Sequence, residues 1–168
     1  RIRGIKIKTR FMKNQEIANI LYDIADYLEM EEVPFKPYAY QKVALVLETM
    51  EEDIEKIYQK GGTKALEEIP GVGKNIAEHI EEYLKTGKIE YYEKLKKKTP
   101  INLGEITSVE GMGPKKAKVL YQELGIKDLK DLEKAAKTHK IAPLFGFGEK
   151  TEKNILEGIK FLKRSKGR

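Results

Sequence analysis

The sequence predicts an all-α protein made of two small helical domains. Apolar residues recur at helical spacing through most of the chain, and no stretch beyond residue 10 alternates as a strand would. One short pattern, apolar-Gly-apolar-Gly, occurs three times and precedes a helical stretch each time. The three turns cover residues 69–73, 109–113 and 145–148, and their closing glycines lie 40 and 35 residues apart.

The first domain is predicted over residues 12–99. Asn14 is expected to cap its first helix, and Pro34 and Pro37 to separate that helix from the second. The adjacent glycines Gly61 and Gly62 are expected to end the third. The predicted helices of this domain cover residues 14–30, 38–50, 53–59, 63–68, 74–85 and 91–98.

The second domain, residues 100–168, repeats the design with the other two glycine turns. Pro114 follows the first of them at an initial helical position, where its missing N–H costs nothing. That helix is expected to end near Gly125. The other predicted helices cover residues 102–108, 129–136 and 151–162, and residues 139–144 lead into the last turn.

Each glycine turn is a predicted anion site. A glycine at a helix start lets a ligand approach the backbone without a Cβ in the way. The N–H groups of the first helical turn then face that ligand, with the positive end of the helix dipole behind them. Repetition along one chain, with no Walker lysine-serine ending, points to a nucleic-acid backbone bound without regard to sequence. The glycines concerned are Gly71, Gly73, Gly111, Gly113, Gly146 and Gly148.

Charge is divided unevenly along the chain. Residues 1–10 carry five basic side chains and no acidic ones, residues 11–100 carry 13 basic and 18 acidic, and residues 101–168 carry 15 basic and 9 acidic. The second domain is therefore expected to supply most of the electrostatic attraction for a polyanion. Residues 1–11 are interpreted either as a leader foreign to the natural chain or as a basic DNA-binding arm.

Composition excludes several classes of function. The chain has no cysteine, which excludes disulfides and thiolate chemistry. No apolar run approaches the length of a membrane span and no signal peptide is visible, so we expect a cytoplasmic chain with no membrane partner. The two histidines, His79 and His139, are far apart in the sequence, so a zinc site is not predicted.

The order of these segments resembles the N-terminal region of family X DNA polymerases, the polymerase beta class, in its bacterial and archaeal branch. The resemblance covers residues 14 to about 162 and implies helix-hairpin-helix motifs at all three glycine turns. It implies a lyase-type domain over 12–99 and a duplex-binding subdomain over 100–168, with the Mg²⁺-binding palm of such a polymerase expected after them. The segments that carry it are KPYAYQK at 36–42, IPGVGKNIAE at 69–78, TGK at 86–88, VEGMGP at 109–114 and GFGEKT at 146–151.

The resemblance also implies contacts to DNA by particular side chains. In this family a lysine of the lyase domain attacks the abasic sugar, and His79 stands at its position here. Because imidazole lacks a primary amine, lyase activity is not expected, although Lys74 and Lys36 are weak candidates for the nucleophile. His79 is interpreted either as a donor to phosphate or as an ordinary polar helix residue. With the six glycines, the implied DNA-binding residues are Lys36, Tyr40, Lys74, Asn75, His79, Lys88, Lys115, Lys116 and Lys150.

Backbone carbonyls of the first two turns are implied ligands of Na⁺ or K⁺, a cation that would bridge to a DNA phosphate. Backbone ligands leave no side-chain signature, so this expectation depends on the resemblance alone. The implied carbonyls are those of Glu67, Ile69, Val72, Thr107, Val109 and Met112.

Aromatic residues of the 36–42 segment offer stacking surfaces for a DNA strand. Of Tyr38 and Tyr40, one is expected in the core because of the helical spacing, and we predict that Tyr40 is the exposed one. Tyr91 and Tyr92 are interpreted as packing residues.

These observations predict a monomer that recognises gapped or nicked duplex DNA and its 5′-phosphate during gap filling in DNA repair, including base excision repair. No cofactor is expected to be required. Two alternatives remain open. One is a free-standing helix-hairpin-helix scaffold that binds DNA or protein for a repair nuclease, and the other is a weak abasic-site lyase.

Overall fold

A computed structural model describes residues 11–166, and within this range the chain forms nine helices and no strand. The predicted all-α class is confirmed. The predicted leader or basic arm lies, except for Phe11, outside the described residues. The helices are α1 (Met12–Met30), α2 (Lys36–Thr49), α3 (Ile54–Glu67), α4 (Lys74–Thr86), α5 (Glu90–Lys98), α6 (Leu103–Thr107), α7 (Pro114–Leu124), α8 (Leu129–Lys137) and α9 (Gly148–Lys166).

The described chain divides between Thr99 and Pro100 into two compact units. In the N-terminal unit α1 packs along α2 and also contacts α3, α4 and α5. Isoleucine, leucine and alanine side chains at helical spacing on α1 are fully buried, as the apolar stripe predicts. The buried core of this unit includes Ile17, Leu21, Ile24, Val43, Leu47, Ile54, Leu66 and Ile80.

Asn14 does not cap its own helix, and that prediction is wrong. Helix α1 begins two residues earlier, and Asn14 is fully buried on its inner face. Its amide donates to the carbonyl oxygens of Leu47 at 3.3 Å and Glu52 at 2.9 Å, and its Oδ1 accepts from Ile54 N–H at 2.9 Å. Asn14 therefore satisfies backbone groups where α2 ends and α3 begins.

Four tyrosine hydroxyls of the N-terminal unit donate to carboxylates on neighbouring helices. Such pairs satisfy the polar end of a ring whose body is packed against the core. Burial, together with the acceptor Glu16, raises the pKa of Tyr83 to about 12. The pairs are Tyr22 with Glu48, Tyr58 with Glu81, Tyr83 with Glu16 and Tyr92 with Asp23, at 2.6–3.1 Å.

Helix α3 is kinked where the sequence predicts an interruption. Gly62 has a φ of 65° and a ψ of −155° inside the helix, conformations that favour glycine. The predicted helices over 53–59 and 63–68 are therefore the two halves of one bent helix, which leads directly into the first glycine turn.

The C-terminal unit is built from α6 to α9. Helix α8 packs on α9, and α6 contacts both α7 and α8. Asn102 and Asp128 cap α6 and α8 by accepting from Glu105 N–H and Asp131 N–H. The buried residues of the C-terminal unit include Leu103, Ile106, Val109, Met112, Leu120, Leu132, Ile141, Ile155 and Ile159. Among the helices of residues 11–166, none is both long and apolar enough to cross a bilayer.

Candidate nucleic-acid interface

The first two glycine turns have the same backbone conformation. Gly71 and Gly111 have φ values of +85° and +82°, a region that favours glycine. Each turn is closed by one hydrogen bond of 3.0 Å, from Val72 N–H to the Ile69 carbonyl and from Met112 N–H to the Val109 carbonyl. These four apolar residues are buried and anchor the turns.

The second glycine of each turn is an N-cap without a side chain. Gly73 and Gly113 have extended backbone and precede α4 and α7, and neither helix has a side-chain hydrogen bond at its start. A Cβ built on Gly73, Gly111 or Gly113 would meet no atom within 4 Å. The backbone at these helix starts is thus open to an approaching anion.

The third turn opens a helix as predicted, but the conformation of its second glycine differs from that in the other two turns. Its closing bond, from Phe147 N–H to the Leu144 carbonyl at 3.1 Å, matches the others. However, Gly146 and Gly148 both have a φ of +84°, and α9 begins at Gly148 itself. No extended glycine cap precedes α9, whereas one precedes α4 and α7. Lys150 is exposed in the first turn of this helix.

A cleft of about 530 Å³ lies beside the first glycine turn. It is formed by the start of α2, the first glycine turn, the start of α4 and Tyr91 of α5. Seven predicted DNA-binding residues line it, and Lys88 does not. The seven are Lys36, Tyr40, Gly71, Gly73, Lys74, Asn75 and His79.

One wall of the cleft is aromatic. The His79 ring stacks on Tyr91, with ring centroids 5.3 Å apart and planes at 7° to each other. Tyr40 lies 6.3 Å from His79 and 6.5 Å from Tyr91. Burial lowers the pKa of His79, although Glu82 and Glu78 oppose this effect, so the imidazole is neutral at pH 7.

The prediction that Tyr40 is the exposed tyrosine is wrong. Tyr40 is only 7% exposed and burial raises its pKa to about 12, whereas Tyr38 is 69% exposed. Tyr91 and Tyr92 are partly buried against the core, as predicted, and Tyr91 also lines the cleft. Its stacking on His79 joins α5 to α4, and no signal within residues 86–98 indicates it.

The charges around the cleft are few. Lys36 and Lys74 are its cationic side chains and Glu78 is its acidic one. With a neutral His79, a phosphate in this cleft would be held by two ammonium groups and by the N–H groups of Lys74, Asn75 and Ile76 at the start of α4.

The implied carbonyl ligands of a monovalent cation lie in these turns, and the cation itself stays a prediction. The Ile69 and Val109 carbonyls each accept one turn hydrogen bond, which leaves a second lone pair on each oxygen. The Thr107 hydroxyl donates to the Leu103 carbonyl at 2.6 Å. Within residues 11–166, no cluster of three or more His, Cys, Asp or Glu side chains is suited to a metal ion.

Comparisons with known proteins agree with this geometry. Residues 12–89 match the family model described as a helix-hairpin-helix domain, and residues 103–160 match a SAM-like helix-hairpin-helix tandem. The two units of this chain are therefore helix-hairpin-helix domains.

A curated relative is the DNA polymerase/3′-5′ exonuclease PolX of Bacillus subtilis strain 168. It is 33% identical over 149 residues, which cover 88% of this chain and 25% of the relative. The chain thus spans about a quarter of the length of that relative. The predicted relation to the N-terminal region of family X DNA polymerases is confirmed.

Proposed function

We propose that this chain recognises gapped or nicked duplex DNA without regard to sequence and contributes this recognition to repair synthesis. The N-terminal unit binds the downstream strand through its 5′-phosphate, and the C-terminal unit binds duplex. One observation carries the proposal. Seven residues chosen from the sequence as DNA contacts line a single cleft at a glycine-capped helix start.

Chemistry at this cleft favours a terminal phosphate. Two lysines and an uncapped helix start suit a small, doubly charged anion better than a long polyanionic surface, because the unit as a whole is acidic. The exposed Tyr38 replaces Tyr40 as the residue proposed to stack on an unpaired base near the gap.

Duplex binding is proposed for the second turn and the start of α7. Gly111 and Gly113 present open backbone, as Gly73 does in the first turn, and Lys115 and Lys116 are exposed beside them. We further propose that Na⁺ or K⁺ bridges the turn carbonyls to phosphate, and that the chain acts as a monomer in the cytoplasm.

A weak abasic-site lyase is the second candidate function. It is favoured by the presence of Lys36 and Lys74 in the same cleft as His79. Their amines are the only cleft groups that would condense with a sugar aldehyde, and neither occupies the position of the family nucleophile.

The proposal is tested with gapped duplexes that differ only in a downstream 5′-phosphate. Fluorescence anisotropy should show several-fold tighter binding to the phosphorylated DNA, since exposed charge-assisted contacts are each worth about 1 kcal/mol or less. Lys74→Ala should abolish most of this gain. Lys64→Ala is the matched control and should preserve it, because the exposed Lys64 of α3 does not line the cleft.

Equal binding of both duplexes by the parent chain would contradict the proposal. If affinity is also indifferent to the gap, the free-standing scaffold is the better interpretation. Strong borohydride trapping on abasic DNA would instead favour the lyase.

A further inference from the structure

The third glycine turn carries a large apolar side chain that packs on nothing. Phe145 is 100% exposed, which makes it the most exposed large apolar residue in the part of the chain that the structure describes. The corresponding positions in the first two turns are Pro70 and Glu110. A single exposed apolar residue is common on protein surfaces, so its setting has to decide its role.

The backbone that holds Phe145 is fixed from both sides. The buried Glu152 carboxylate accepts from Ile141 N–H at 3.1 Å and Ala142 N–H at 2.7 Å, and its other oxygen lies 2.7 Å from His139 Nδ1. Next to these bonds, Leu144 N–H donates to the Ile141 carbonyl at 3.0 Å. Phe145 is thus presented on a pre-organised turn, and little backbone ordering would oppose its insertion into a partner.

The surroundings of Phe145 favour a polyanionic partner. Lys140, Lys150 and Lys153 are exposed and form no ion pair within residues 11–166. Glu149 is the exposed acidic residue nearby, and it offsets only one of the three positive charges. An apolar tip with exposed lysines five residues before it and five and eight residues after it differs from the largely apolar centre and uncharged core of a typical protein–protein interface.

The geometry points to an apolar wedge: we propose that Phe145 enters the minor groove of duplex DNA and inserts between base steps. This inference depends on the proposed DNA binding. Aromatic and aliphatic side chains of minor-groove proteins unstack a step in this way, and basic neighbours hold the adjacent phosphates. The left-handed Gly146 and Gly148 beside Phe145 leave no side chain that would block its approach.

The chain has no tryptophan, so Phe145→Trp creates a single fluorescent probe at the tip. Phe161→Trp is the matched control, because Phe161 is 68% exposed on α9, far from the turn in sequence. Adding ungapped duplex should quench or shift the emission of the Phe145→Trp chain and leave the Phe161→Trp chain unchanged.

Phe145→Ala gives an independent measurement. It should weaken duplex binding by about threefold to tenfold without changing the salt slope, since an apolar contact releases no counterions. Phe161→Ala should have parental affinity. If the Phe145→Trp chain binds duplex by anisotropy with unchanged emission, the wedge is wrong while the proposed function stands.

Two further outcomes would also overturn the wedge. An emission change that depends on protein concentration but not on DNA would identify a second copy as the partner. If the parent chain binds neither duplex nor gapped DNA, the proposed function itself is refuted, and the wedge with it.

Discussion

The Asn14 side chain joins three helices of the N-terminal unit. Its partners lie 33 to 40 residues further along the chain, at the end of α2 and the start of α3. Sequence reasoning gave Asn14 a local cap because an asparagine near a helix start is usually one. Its actual partners are determined by how the three helices pack, and a local sequence pattern carries no information about that packing.

Asn14→Ala should destabilise the chain by about 2–4 kcal/mol, because it leaves buried backbone groups of Leu47 and Ile54 without partners. Thermal or urea unfolding measures the change. Asn19→Ala, on an exposed position of the same helix, is the control and should cost well under half as much. Equal losses in the two variants would contradict the role assigned to Asn14.

His79 makes the cleft sensitive to pH. Burial lowers the pKa of His79 in the folded chain, so the unfolded chain protonates this imidazole more readily than the folded chain does. The folded chain therefore loses stability as the pH falls below about 6.5, the ordinary pKa of histidine. A bound 5′-phosphate has the opposite preference, since it favours the imidazolium.

We therefore expect the stabilisation conferred by 5′-phosphorylated gapped DNA to increase between pH 7.5 and pH 6. Melting temperatures with and without DNA measure it. His79→Gln should remove the increase, and comparison of the two chains on the same DNA cancels the titration of the phosphate. Identical pH profiles for both chains would show that His79 does not face the phosphate.

At the scale of elements, most helices could be predicted because proline, glycine and capping residues mark their ends. The start of α7 at Pro114 and its end at Gly125 follow from sequence alone. The burial of Tyr40 did not follow from the sequence, because both faces of α2 carry apolar residues. Only the packing of α4 and α5 decides that the Tyr40 face is buried. The third turn was predicted, but the left-handed conformation of its second glycine was not, since glycine identity does not reveal the sign of φ at Gly148.

Gly113→Val tests the open backbone at the second turn. Gly113 has a φ of −94° and a Cβ at this position meets no atom within 4 Å, so neither the backbone nor the space around the Cβ opposes a side chain here. The side chain would occupy the place where phosphate approaches, and duplex affinity should fall more than tenfold, about 1.4 kcal/mol. Circular dichroism should show an unchanged helix content, and parental affinity in a folded variant would refute the contact.

For the whole molecule, residues 11–100 and 101–168 carry opposite net charges, and we expect the two units to contribute differently to DNA binding. On the proposed function, the first unit would attract DNA only through its local cleft, whereas the second would also attract it through overall charge. The division was predictable by counting residues. Which lysines face the DNA was not, because the count ignores position.

Lys116→Ala should therefore reduce the slope of log affinity against log salt by about 0.9, the value for one duplex phosphate contact. Lys130→Ala, an exposed lysine on α8, is the control and should leave the slope unchanged. Equal slopes for parent and Lys116→Ala would remove α7 from the duplex interface.

The glycine cap of α4 has a consequence for the amide protons that follow it. With no side-chain acceptor at the cap, the first N–H groups of this helix have only water as a partner in the free chain, and they exchange with solvent deuterium quickly. A phosphate oxygen at the turn would slow that exchange. DNA binding would then be recorded in the backbone of Lys74, Asn75 and Ile76, at the atoms that make the contact.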